Sequence, residues 1–69
     1  MNISYESIEL CLHDISMTSR ELDHMREHTD DPDYLAAIHA CFVANGKLYD
    51  AVMALAILCT EKSFPMRKE

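Results

Sequence analysis

The sequence predicts an all-α protein, an antiparallel hairpin of two long helices. Three observations lead there. Apolar residues recur at alternating three- and four-residue steps in two separate stretches, only one Gly and two Pro occur in 69 residues, and one polar, proline-bearing turn divides the stretches. At 69 residues the chain forms a single domain, 1–69, with no room for a second core.

The first helix is expected over about residues 4–28. Ser4 can accept from the free N–H groups of the first turn, and Glu6 and Glu9 lie near the positive end of the helix dipole. Ile8, Cys11, Ile15, Thr18, Leu22 and Met25 make an apolar stripe, widened by Tyr5 and Leu12. The turn occupies residues 29–31. Asp31 suits the cap of the next helix, Pro32 its first position and Asp33 its first turn. A connection this short makes the two helices antiparallel neighbours.

The second helix is expected over about residues 32–63. Leu35, Ile38, Phe42, Asn45, Tyr49, Val52, Ala56 and Cys59 hold one register without a slip, broadened by Cys41, Leu48 and Leu55. Asn45-Gly46 alone would read as a turn, which leaves a three-helix alternative. The same heptad phase on both sides favours one helix with a weak point costing about 1 kcal/mol. Within such a helix Asn45 can act as a register-setting polar residue, and Gly46, opposite about Ile15, can allow close approach of the helices. Pro65 stops the helix, and a short tail follows from Phe64.

One hairpin cannot cover all this apolar surface. Ile3, Leu10 and Met17 repeat every seven residues on a second face of the first helix. Val43, Ile57 and Leu58 lie outside the main stripe of the second, which is apolar all round from Ala51 to Cys59. Each large aliphatic side chain left in water forgoes roughly 1.5–3 kcal/mol. A chain of this size also needs a disulfide, a metal or a partner to be stable. These six residues are therefore the expected interface of a homodimer forming a four-helix bundle, with a hetero-partner as the competing use.

Charge narrows the partners. Residues 1–33 carry nine acids and two bases (net −7), and residues 34–69 carry three acids and four bases (net +1). Such a chain repels phosphate backbones and anionic lipid, so neither direct nucleic-acid nor membrane binding is expected. The longest unbroken apolar run, the nine residues Ala51–Cys59, falls short of the roughly 20 that span a bilayer. No basic segment followed by an apolar run opens the chain, which points to the cytoplasm. Cys11, Cys41 and Cys59 form no CxxC pair and read as small buried hydrophobes with reduced thiols.

Candidate chemistry is sparse. His24 and His28, four apart, could share a metal with Glu21 or Asp31 nearby, giving a small metal-binding protein as one alternative. The bland reading is two solvated histidines, with no metal and no cofactor. Cys11 with His13, and Cys41 with His39, stand two apart on a helix and do not face one another, so no nucleophilic pair forms and no enzyme is expected. Glu21, Asp23, Glu27, Asp30, Asp31 and Asp33 crowd one end of the hairpin. They could imitate the phosphate track of DNA and inhibit a host nucleic-acid-binding protein, or simply form a solvated face.

The segments Ile8-Glu9-Leu10, Thr18-Ser19-Arg20-Glu21-Leu22, Asp31-Pro32-Asp33-Tyr34 and Met53-Ala54-Leu55-Ala56 look like those of small accessory proteins of lambdoid bacteriophages. In particular, the chain resembles those encoded in the exo–xis region. That resemblance implies a cytosolic, all-helical, non-enzymatic factor made early in infection of a bacterial host. It would adjust host or phage development through contacts with a host or phage protein, and it assigns no site residue. Bundle proteins of plasmid copy-number control look similar in architecture only. They bind RNA through basic helix faces, whereas the first helix here is acidic.

Overall fold

The computed structural model describes residues 3–63, and the expected tail from Phe64 with its stop at Pro65 lies outside them. Two helices, α1 (Tyr5–Glu27) and α2 (Pro32–Ser63), pack side by side in a hairpin measuring 57 × 17 × 17 Å. There is no strand among the described residues.

Local chemistry sets the helix ends. Ser4 sits in extended backbone (φ −77°, ψ 131°), and its hydroxyl accepts from the Glu6 N–H at 3.2 Å. At the far end of α1 the His28 N–H donates to the Met25 carbonyl at 3.0 Å, tightening the last turn. The turn is then held by its own side chains. Thr29 Oγ1 accepts from the Asp31 N–H at 3.1 Å, and Asp31 Oδ1 accepts from the Asp33 N–H at 2.8 Å. Asp31 thereby caps α2 one residue before Pro32, whose missing N–H costs nothing there.

α2 runs unbroken through Asn45-Gly46. Gly46 has no positive φ, and the three-helix alternative is set aside because nothing local forces a turn once both flanks pack in one register. A Cβ built on Gly46 would meet nothing within 4 Å. The glycine is therefore not what lets α1 and α2 approach each other.

The core is small: Ile8, Ile15, Leu22, Ile38 and Ala56 are buried. The stripe expected on α2 lines the seam, although Tyr49 stays exposed. On α1 the stripe is displaced to one side. The half-buried neighbours of Ile8, Ile15 and Leu22 are Leu12 and Ser19, while Cys11, Thr18 and Met25 are exposed. The reason is geometric. At 100° per residue, positions i+3 and i+4 lie on opposite sides of position i, and a single partner helix can cover only one side. For the same reason Cys11 and Cys41 are exposed rather than buried, and only Cys59 is half-buried.

Candidate interaction surface

Asn45 is the polar centre of the seam. It is half-buried, and its Nδ2 donates to the Ile15 carbonyl on α1 at 3.0 Å, across thirty residues of sequence. That bond levels residue 45 with residue 15 and fixes the register of the hairpin. A second tie lies near the open end, where the Cys59 thiol donates weakly to the Ile3 carbonyl at 3.6 Å.

Among the described residues twelve large hydrophobic side chains are exposed, against four buried ones and Ala56. Measured around each helix from the seam, they fall into distinct sets. On α1, Cys11, Thr18 and Met25 turn to one flank; on α2, Cys41, Leu48 and Leu55 turn to a flank as well. Because the helices are antiparallel, these two flanks face the same side. An apolar groove of about 230 Å³ confirms the juxtaposition, lined by Cys11, Asp14, Ile15 and Thr18 from α1 and by Asn45, Leu48 and Val52 from α2. The opposite side of the seam carries a more polar groove, bordered by Ser16, Ser19, Phe42, Gly46, Tyr49 and Asp50.

All six residues expected at the interface are exposed to some degree: Ile3, Leu10, Met17, Val43, Ile57 and Leu58. The hairpin does not gather them on one face. Leu10 and Met17 point away from α2 and Ile3 precedes α1, whereas Val43 and Ile57 lie on the opposite flank of α2 from Leu48, and Leu58 faces outward. Periodicity alone does not reveal the contiguous side as a surface, because it places those residues in the core stripes.

The acidic end is partly spent on the fold. Asp31 caps α2, and Asp23 pairs with Arg26, three residues along α1. Both members of that pair are more than half exposed, so it contributes little. The Arg26 guanidinium also lies over the Phe42 ring, 5.2 Å from its centroid, tying the end of α1 to α2. Glu21, Glu27, Asp30 and Asp33 make no ion pair among the described residues.

The two candidate metal ligands do meet, with their ring centroids 4.3 Å apart. The His28 ring nitrogen Nδ1 donates to the His24 carbonyl at 2.8 Å, leaving one nitrogen of that ring for another partner. Among the described residues no third His, Cys, Asp or Glu joins them in a metal-holding group.

By length and composition, α2 over Pro32–Lys62 is apolar enough to cross a membrane, and within that span only Ile38 and Ala56 are buried in the hairpin. Interrupted apolar runs and a long helix thus amount to more continuous hydrophobicity than the nine-residue run Ala51–Cys59 suggests. Compared with known proteins, the chain matches no family model, no curated protein and no solved structure.

Proposed function

We propose that this chain is a non-enzymatic interaction factor that works as a self-associated pair of hairpins, a four-helix bundle presented to a further protein. The observation that supports the reading is the imbalance, among the described residues, between a five-residue core and twelve exposed large hydrophobics. Hydrophobic surface on that scale in so small a domain is the mark of an interface. The resemblance to lambdoid phage accessory proteins adds the setting, a regulator acting in the cytosol of a bacterial host through protein contacts.

The apolar length of α2 supports a second reading, insertion into a membrane. Lys47 and Asp50 weigh against it, since each falls within the helix and would cost about 2.5–3.5 kcal/mol near the bilayer centre. Light scattering coupled to gel filtration, with and without lipid vesicles, separates the two. Self-association predicts a lipid-independent particle of twice the 7.9 kDa chain mass. A chain that stays monomeric in buffer and moves with the vesicles overturns it.

A further inference from the structure

The residues that α1 gives to the apolar groove are Cys11, Asp14, Ile15 and Thr18, at i, i+3, i+4 and i+7. That is the four-residue hole that accepts one side chain from a facing helix in knobs-into-holes packing. Within the chain α2 does not fill it: Leu48 lines the groove at the same level but is 52% exposed. Resting on the self-association reading above, we propose that a second copy of this chain seats its Leu48 in this hole. The two hairpins are then related by a two-fold axis along their length, with α1 of each lying on α2 of the other.

Three features select this occupant and this arrangement. A two-fold axis along the hairpin preserves height, so Leu48 of the second copy arrives at the level where Leu48 of the first lines the groove. Charge decides which helix lies on which. α1 holds six acids and two bases (net −4), and α2 holds three acids and two bases (net −1). Placing α1 on α2 keeps the two strongly acidic helices apart, which stacking α1 on α1 would not. The arrangement also brings Asp14, at the rim of the hole, level with Lys47 of the second copy. Neither residue has an ion-pair partner among the described residues.

Sedimentation equilibrium on the full chain tests the arrangement, with three variants beside the wild type. Leu48→Glu should weaken the dimer by roughly 100-fold or more, because two buried leucines are lost per dimer. At concentrations where the variant still pairs, its helicity should match that of the wild type, since Leu48 is exposed in the hairpin. Met17→Glu, on the far side of α1, should leave the dimer unchanged. Asp14→Lys and Lys47→Asp should each self-associate more weakly than the wild type, and an equimolar mixture of the two should recover a heterodimer. A wild type that dimerises while Leu48→Glu dimerises equally well overturns this face and leaves self-association standing. A wild type that remains monomeric overturns both. Dimerisation with no recovery in the charge-swapped mixture overturns the pairing of α1 with α2.

Discussion

Asn45 and Gly46 are neighbours with opposite consequences. Asn45 joins the helices through a donor, its Nδ2, aimed at the Ile15 carbonyl. Asn45→Asp replaces that donor with an acceptor and should cost about 1–3 kcal/mol, read as a lower urea midpoint at fixed protein concentration. Gly46→Ala should do the reverse. The site is helical and the new methyl meets nothing within 4 Å, so the gain should be about 0.5–1 kcal/mol. A loss of stability would mean that another molecule packs against Gly46. Sequence reading placed Asn45 in the seam from its heptad position alone. It could not separate a helix from a turn at this dipeptide by composition, because the deciding factor is packing on both flanks.

At the scale of the elements, α1 is held by three seam residues one heptad apart, Ile8, Ile15 and Leu22. Ile15→Ala should cost about 2–5 kcal/mol and melt much of the helix signal, while Leu10→Ala, at 65% exposure, should shift the hairpin's own stability by under about 0.5 kcal/mol. Asp31→Ala removes the cap of α2 and should cost about 1 kcal/mol, checked by thermal unfolding followed by circular dichroism. Caps and turn were fully legible: Ser4, Asp31 and Pro32 act where their chemistry says they should. The rotation of α1 was not. Periodicity marks Ile8, Ile15 and Leu22, but both Cys11 and Leu12 are apolar. Nothing in the spacing says which flank the single neighbour will cover.

At the scale of the whole molecule, that ambiguity becomes informative. Apolar residues on both flanks of the seam are what the self-association proposed above requires, since each helix of a four-helix bundle has neighbours on two sides. The fold of one chain was therefore more legible than the side on which its exposed apolar residues gather. Ile3, Leu10, Met17, Val43, Ile57 and Leu58 stand out by sequence as surplus, yet they scatter around the hairpin. Cys11, Thr18, Met25, Cys41, Leu48 and Leu55 share one side. Only the antiparallel pairing and its register, set by Asn45 on Ile15, bring those two rows together.

That the chain completes its core with a second copy of itself is tested most directly by sedimentation equilibrium over a dilution on the order of a hundredfold, with far-UV circular dichroism at each concentration. Self-completion predicts twice the chain mass when concentrated and a fall in helicity as the pair dissociates. A monomer that keeps its full helicity at every concentration would show that the exposed apolar side is not closed by self-association.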